Sequence, residues 1–242
     1  MQPLLVAIAW LTLATPGTNG EPIPSYLYQP AYCMDKKLRG PAEAYVPQPG
    51  DIMLATDDNI FWKITHDLAL AFEPHGSGVF FARSDGGLGL LEAGPNDTLF
   101  IRTLDALPHI KDYADKGPVW VRKRRTPLTE EQSAKLTCFA ERQDGKWFAL
   151  PRLGLQLTPF RARGPLRTYV LGKSNPNRIS YYCSELVMEA LVAADLVDRN
   201  TARPSATYPH DLFFEHSFNI YIERHYHLGD CWFPPARWTY CP

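Results

Sequence analysis

Cys183 is the residue whose type and position could do the most chemistry. It lies early in the segment 178–197, where apolar residues recur at helical spacing and no Pro or Gly intervenes. Ser180 is the expected N-cap, and the carboxylate of Glu185 favours the first turn. The positive end of a helix lowers a thiol pKa, so we expect Cys183 to be a nucleophilic thiolate. The alternative is a buried cysteine that only packs.

A thiol nucleophile needs a base and a polar group that orients the base. His75 precedes a predicted strand, in a turn that contains two glycines, and Glu92 ends the next predicted strand. Adjacent antiparallel strands can hold an imidazole and a carboxylate side by side. The candidate site is therefore Cys183 as nucleophile, His75 as base and Glu92 as orienting group. His66, on a predicted helix, is the alternative base.

The elements that must position these residues follow from periodicity and turn signals. Thr129 to Gln132 matches a capping box that opens a helix to about residue 142. Further helices are predicted at 59–72 and after Ser180, and strands at 78–82, 88–92, 99–102, 119–124 and 167–171. Helices and strands that are segregated in this way predict an α+β fold and not a parallel doubly wound sheet.

Five segments of the sequence, named at the end of this paragraph in chain order, resemble the circularly permuted NlpC-like papain-fold amidases of the YiiX-like group. In that group the histidine comes first, then an acidic or polar residue, then the cysteine. The resemblance covers roughly residues 48–215. The segments are Gln48-Pro-Gly-Asp-Ile52, His75 before a strand, Leu91-Glu-Ala93, Leu128-Thr-Glu-Glu-Gln132 and Tyr181-Tyr-Cys-Ser-Glu-Leu-Val187.

The resemblance implies a small antiparallel sheet or partial barrel packed against the helix that carries Cys183. It also implies that the backbone N–H of Cys183, helped by Tyr182 and with Ser184 beside it, stabilises an oxyanion. The reaction would be thiol hydrolysis of an amide or ester through an acyl-enzyme, with no cofactor. Cell-wall peptides or N-acyl amino acids are the implied substrates, and a lipid acyltransferase remains an alternative.

Composition restricts the class of protein and its partners. The chain has 242 residues, of which 45% are hydrophobic and 21% are charged, as in an ordinary globular protein. Its net charge of −1 gives no electrostatic reason to expect nucleic acid or an anionic membrane as the main partner. An apolar block within residues 1–20 is followed by small residues, which predicts a signal peptide and export to the periplasm or outside the cell. A buried or membrane-lying N-terminal helix is the alternative, and no other window could cross a bilayer.

The cysteines and the domain limits follow from the same reasoning. After the signal peptide we expect an extended arm (21–47), a catalytic domain (48–215) and an aromatic tail (216–242). An odd number of cysteines in an exported chain indicates disulfides plus one free thiol. If Cys183 is the free thiol, the other four cysteines allow three connectivities. We favour a loop between Cys231 and Cys241 in the tail, which would leave Cys33 to pair with Cys138. The alternative is five reduced thiols in a cytoplasmic protein.

Two other readings of the sequence remain open. His225, His227 and Cys231, with His216 nearby, have the ligand types that suit zinc, although their spacing matches no strong zinc signature. A catalytically inactive module with the same fold is the second, because fold alone does not establish function.

Overall fold

The structure is a computed structural model, and it describes residues 24–28, 40–56, 64, 72–95, 98–158, 164–214 and 228–241. Within these ranges the chain forms an eight-stranded sheet in which each neighbouring pair of strands is antiparallel. Four α-helices in the same ranges complete the fold. The predicted α+β class is confirmed.

The strands of the main sheet follow the spatial order β2-β1-β10-β7-β3-β4-β5-β6, and a separate parallel pair joins β8 to β9. The strands are β1 (Ser25–Tyr28), β2 (Ala42–Tyr45), β3 (Ile52–Ala55), β4 (Gly76–Ala82), β5 (Leu88–Ala93), β6 (Ile101–Asp105), β7 (Val119–Arg122), β8 (Trp147–Phe148), β9 (Ser180–Tyr181) and β10 (Ala236–Tyr240). The helices are α1 (Ala106–Lys116), α2 (Glu130–Gln143), α3 (Cys183–Ala193) and α4 (Pro209–Phe214), with 3-10 turns at Leu150–Leu157 and Pro204–Ala206 and a π-helix at Arg167–Leu171.

The two ends of the described chain belong to the main sheet. β1 and β2 come from the segment predicted to be an extended arm, and β10 comes from the predicted tail. β10 pairs with β1 on one side and with β7 on the other. The sheet is therefore larger than the small sheet expected from the resemblance, because both ends of the chain add strands to it.

The local predictions have mixed outcomes. β4 and β5 pair as the predicted hairpin, and α2 follows the predicted capping box, in which Gln132 N donates to Thr129 Oγ1 at 3.2 Å. The strand predicted at 167–171 is wrong, since these residues form a π-helix. The predicted signal peptide lies outside the described residues, as does the helix at 59–72 apart from Ile64 and Phe72. Within the described ranges, no helix is both long and apolar enough to cross a bilayer.

The two faces of the sheet are buried in two hydrophobic cores among the described residues. Val79 and Leu91 pack on the face covered by α2, α3 and α4. Their neighbours Phe80 and Leu90 pack on the opposite face, with Ile110 of α1. This alternation follows from strand geometry, because successive side chains point to opposite faces. It decides which residues of β4 and β5 can reach α3.

The predicted disulfide between Cys231 and Cys241 is not formed. Both are free thiols, and the whole of β10 lies between them. A strand of this length spans about 16 Å, whereas a disulfide requires Cα atoms within about 7 Å. Cys138 is a free thiol as well, so the predicted pairing with Cys33 is also absent, and Cys33 itself lies outside the described residues.

Asp51 joins three strands through its buried carboxylate. One carboxylate oxygen accepts hydrogen bonds from the Tyr45 hydroxyl at 2.7 Å and from Gln48 N at 3.1 Å. The other accepts from Arg124 N at 2.7 Å. Burial raises the pKa of Asp51, and the hydrogen bonds oppose that shift. The carboxylate thus fixes β2 and β7 relative to the turn that opens β3.

The Asp51→Ala variant should lose about 3 kcal/mol of unfolding free energy, because it leaves the Tyr45 hydroxyl and the Arg124 N–H buried without their acceptor. Urea unfolding followed by circular dichroism measures the change. Asp112→Ala, at an exposed position on α1, is the control and should change stability by less than about 0.5 kcal/mol. Equal stabilities for the two variants would contradict this role of Asp51.

Candidate functional site

Cys183 is the first residue of α3, and its thiol lies against the segment that leads into β4. The sulfur atom is 3.5 Å from the carbonyl oxygen of His75, in hydrogen-bonding geometry. The backbone of His75 is also fixed at its amide, because His75 N donates to the carbonyl of Ala55 at 3.1 Å. Cys183 and His75 are both buried. The structure thus brings together two residues that lie far apart in the sequence, and their recorded contact is through the His75 backbone.

The pKa of the Cys183 thiol is shifted in the direction opposite to the predicted one. Burial raises this pKa to about 11. Three donors oppose the shift: the Ser77 hydroxyl, the backbone N–H of Ser184 and the backbone N–H of Ser77. The negative charge of Glu92 adds to it. Desolvation therefore outweighs the helix N-terminus, and the expected lowering of the thiol pKa is wrong. The resting residue is a neutral thiol that donates its proton to the His75 carbonyl.

The start of α3 is fixed by a buried carboxylate. Tyr182 is the N-cap, and its backbone N–H donates to Oε2 of Glu185 at 3.1 Å. Glu185 is fully buried and also pairs with Arg152 and, at 3.3 Å, with Arg178. The predicted N-cap, Ser180, lies in β9 instead. This network sets Cys183 as the first helical residue.

The two residues expected beside the oxyanion have other partners. The backbone N–H of Tyr182 is bound to Glu185, and the Tyr182 ring lies 4.6 Å below the guanidinium of Arg152. The Ser184 hydroxyl donates to the carbonyl of Thr207 at 2.7 Å. These contacts occupy the Tyr182 amide and the Ser184 hydroxyl, and the oxyanion roles of Tyr182 and Ser184 stay predictions. What Ser184 offers to the sulfur is its backbone N–H.

Glu92 lies on the opposite face of the sheet from Cys183. It pairs with Gly78 across the β4–β5 ladder, on the face where α1 packs. Its Oε2 is 2.8 Å from Nε2 of His109, and its Oε1 accepts a hydrogen bond from the Tyr113 hydroxyl at 2.6 Å. The expectation that Glu92 orients His75 is therefore corrected. The hairpin was predicted, but a shift of one residue along a strand changes the face, and the sequence pattern did not decide that.

Three residues of this region were missed by the sequence reasoning. Ser77 is fully buried, and its hydroxyl is a leading cause that lowers the Cys183 pKa. Its signal was a hydroxyl between two glycines, two residues after the candidate base. His109 and Tyr113 are four residues apart on one face of α1, a spacing that brings two side chains to the same partner. No sequence signal linked them to Glu92.

The metal alternative has no support among the described residues. In the described ranges, no three or more His, Cys, Asp or Glu side chains are grouped so that they could hold a metal ion. His225 and His227, the predicted zinc ligands, lie outside these ranges, as do His216 and the alternative base His66. Cys231 is described and is a half-buried free thiol.

Comparisons with known proteins give weak structural similarity. No family model matches the chain, and no curated protein matches it. Among solved structures, the chain is similar to the metalloprotein YiiX from Escherichia coli O157:H7, with 19% identity and a TM-score of 0.40, over 74% of this chain and 88% of that chain. The roles of residues are argued below from this chain alone.

Replacing Ser77 with Ala should raise the Cys183 pKa further, because it removes a hydroxyl that stabilises the thiolate. At about pH 9 the rate of alkylation by iodoacetamide should fall by about fivefold, because the loss of one hydrogen bond worth about 1 kcal/mol lowers the thiolate population by about that factor. Mass spectrometry of the Cys183 peptide measures the rate, with exposed Cys138 as an internal reference.

The matched control is Ser184→Ala, which removes a hydroxyl that is bound to Thr207 and not directed at the sulfur. Its alkylation rate should stay within about twofold of wild type, since its backbone N–H remains. Equal slowing in both variants would show that the Ser77 hydroxyl has no specific effect on the thiol.

Replacing Glu92 with Gln should leave Cys183 alkylation unchanged or faster, because the charge that raises the thiol pKa is removed. The same variant should lose about 1–3 kcal/mol of stability, since the buried bonds to His109 and Tyr113 are weakened. Glu189→Gln, which replaces a buried carboxylate of α3, is the control for the loss of a carboxylate. Slower alkylation in Glu92→Gln alone would instead favour the predicted orienting role.

Proposed function

We propose that the protein is a cysteine hydrolase that cleaves an amide or ester bond through an acyl-enzyme on Cys183. The observation that carries the proposal is the position of this thiol at the first residue of α3, 3.5 Å from the carbonyl of His75. A nucleophile at the start of a helix has the free N–H groups of the first turn beside it. Such groups can stabilise the negative charge that forms when a carbonyl is attacked.

His75 is the proposed general base. The carbonyl of His75 contacts the Cys183 thiol, and the imidazole is part of the same residue. The ring nitrogens of His75 therefore lie within about 10 Å of the sulfur. A rotation of the side chain is enough to change that separation, and catalytic hydrogen bonds often close only when substrate binds. We therefore assign the imidazole the removal of the thiol proton in the complex with substrate.

The raised pKa makes this base necessary. With a pKa of about 11, only about one Cys183 thiol in ten thousand is ionised at neutral pH. That is a cost of about 5 kcal/mol for a mechanism that begins from a free thiolate. A base that takes the proton as the sulfur attacks avoids this cost, and the donors from Ser77 and Ser184 lower it.

The reaction has two balanced steps. In the first, the sulfur bonds to the carbonyl carbon, its proton passes to His75, and the imidazolium returns that proton to the leaving amine or alcohol as the bond to it breaks. In the second, His75 removes a proton from water, the hydroxide attacks the thioester, and Cys183 leaves as the thiol. The products are a carboxylic acid and an amine or alcohol.

The fold proposal accompanies this mechanism. A histidine upstream of the cysteine, on a sheet packed against the cysteine helix, is the arrangement of a circularly permuted papain-like domain. The order of His75 and Cys183 in the chain and the packing of α3 on β4 and β5 support that proposal. Peptides and N-acyl amino acids are the proposed substrates, and export remains the proposed localisation.

A catalytically inactive module is the second candidate, and two observations favour it. The Cys183 thiol is buried and neutral, and the predicted orienting carboxylate Glu92 is bound to His109 on the other face of the sheet. In that case Cys183 would serve to pack the first turn of α3, as many buried cysteines do.

Hydrolysis of p-nitrophenyl acetate and of N-acyl amino acid p-nitroanilides tests the proposal. Wild-type protein should release p-nitrophenol and carry an acetyl group on the Cys183 peptide, which mass spectrometry detects. Cys183→Ala should abolish both signals, and His75→Gln should slow acylation by about a hundredfold or more.

Two matched variants serve as controls. Cys138→Ser removes an exposed thiol, and His109→Gln removes a buried histidine from the opposite face, so both should keep most of the acylation rate. Absence of acylation in folded wild-type protein would favour the inactive module. Full acylation in Cys183→Ala would contradict the proposed nucleophile.

A further inference from the structure

The net charge of the whole chain conceals a strongly basic segment. Residues 142–178 contain eight Lys or Arg residues and one acidic residue, Asp144, whereas the whole chain has a net charge of −1. The rest of the sequence is therefore acidic. Arg152 and Arg178 pair with buried Glu185, and Arg167 is buried, which leaves Arg142, Lys146 and Lys173, among the described residues of the segment, to attract an external anion. Local cations can attract anions even when the total charge is near zero.

This segment and residues next to it in the fold expose large apolar side chains. Trp147 is 58% exposed, Val170 is 60% exposed and Ile179 is 83% exposed. Single exposed apolar residues are common, but a cluster of them marks a surface that another apolar phase covers. Phe100, Leu166, Tyr169 and Leu171 are also exposed.

Contacts bring together the segments that carry these side chains. The Phe100 and Trp147 rings are 4.8 Å apart, and Trp147 pairs with Ser180, the neighbour of Ile179, in the β8–β9 ladder. Arg178, which precedes Ile179, donates to the carbonyl of Leu171 at 3.0 Å.

Basic groups lie along the same path. Lys146 donates to the carbonyl of Arg178 at 3.2 Å, and Lys173 is exposed beside the π-helix. We call this surface the apolar-basic face, and define it by Phe100, Lys146, Trp147, Val170, Leu171, Lys173 and Ile179.

We propose that the apolar-basic face binds peripherally to the surface of an anionic lipid bilayer. Aromatic and aliphatic side chains with lysines among them are suited to the boundary between headgroups and acyl chains, where the apolar groups enter and the cations meet phosphate. Nucleic acid explains the cations but gives no role to exposed Ile179 and Val170. An acidic protein partner could also cover the apolar side chains, so binding of an acidic polypeptide is one outcome of the test below.

Docking in this way would place the start of α3 close to the bilayer. β9 leads directly from Ile179 to Tyr182 and Cys183. The proposal does not depend on hydrolysis by Cys183, because it concerns binding alone. It adds that any substrate of this site would be met at a lipid surface.

Vesicle flotation with the full chain tests the proposal. The protein should float with vesicles of phosphatidylcholine containing about 30% phosphatidylglycerol and should bind pure phosphatidylcholine vesicles much more weakly. Raising NaCl from about 0.1 M to about 0.5 M should weaken the binding, because the Debye length shortens. Val170→Ser combined with Ile179→Ser should reduce the partition coefficient by about tenfold, and Lys173→Glu should reduce it by about fivefold.

The matched controls lie away from the apolar-basic face, after the edge strand β2 and after the central strand β7. Val46→Ser changes a valine that is 76% exposed and follows β2, and Lys123→Glu makes the same charge change as Lys173→Glu. Both controls should bind as wild type does. The proposal is overturned if wild-type protein does not bind the anionic vesicles, if the apolar variants bind them normally, or if an acidic polypeptide or DNA oligonucleotide is bound in their place.

Discussion

The burial of the first turn of α3 against the start of β4 is the constraint on which the rest of this site depends. It brings the Cys183 sulfur to the carbonyl of His75 and removes the thiol from water. The same burial raises the pKa of Cys183 to about 11, against the effect of the helix N-terminus. A site built in this way keeps its thiol protonated at neutral pH, and under the proposed mechanism the proton leaves only when a base and a substrate carbonyl are in place. It thereby protects the thiol from the random alkylation and oxidation to which exposed thiolates are subject.

The charges around α3 are arranged to hold this first turn rather than to ionise the thiol. Glu185 caps the helix and is neutralised by arginines, and Glu189 accepts hydrogen bonds from Ser174 and Asn175. Glu92 stabilises the opposite layer through α1. Breaking any of these buried pairs would leave an uncompensated charge, which is costly in a core. The carboxylates are therefore part of the framework, and the proposed chemistry is left to Cys183, His75 and the donors from Ser77 and Ser184.

The sequence predicted the features that local patterns encode. The helix after Cys183, the capping box at Thr129 and the β4–β5 hairpin all depend on spacing within a few residues. Features that depend on tertiary packing were not predicted. The face on which Glu92 lies depends on the register of the strand pairing, and the pKa of Cys183 depends on how deeply the thiol is buried. The formation of a strand by residues 236–240 depends on the strands that pair with it. The sequence pattern predicts a strand where the π-helix Arg167–Leu171 lies, because a short segment with β-branched and aromatic residues gives no distinct helical period.

The ionisation of Cys183 is the most direct test of this account. Carbon-13 labelling at cysteine Cβ allows its titration to be followed by NMR, in a protein whose other four cysteines are replaced by Ser. The account predicts a chemical shift typical of a thiol from neutral pH to about pH 9, with the transition only near the pKa of about 11. A thiolate shift at neutral pH in the folded protein would contradict the account, because it would mean that the helix start and its neighbours, and not burial, control the sulfur.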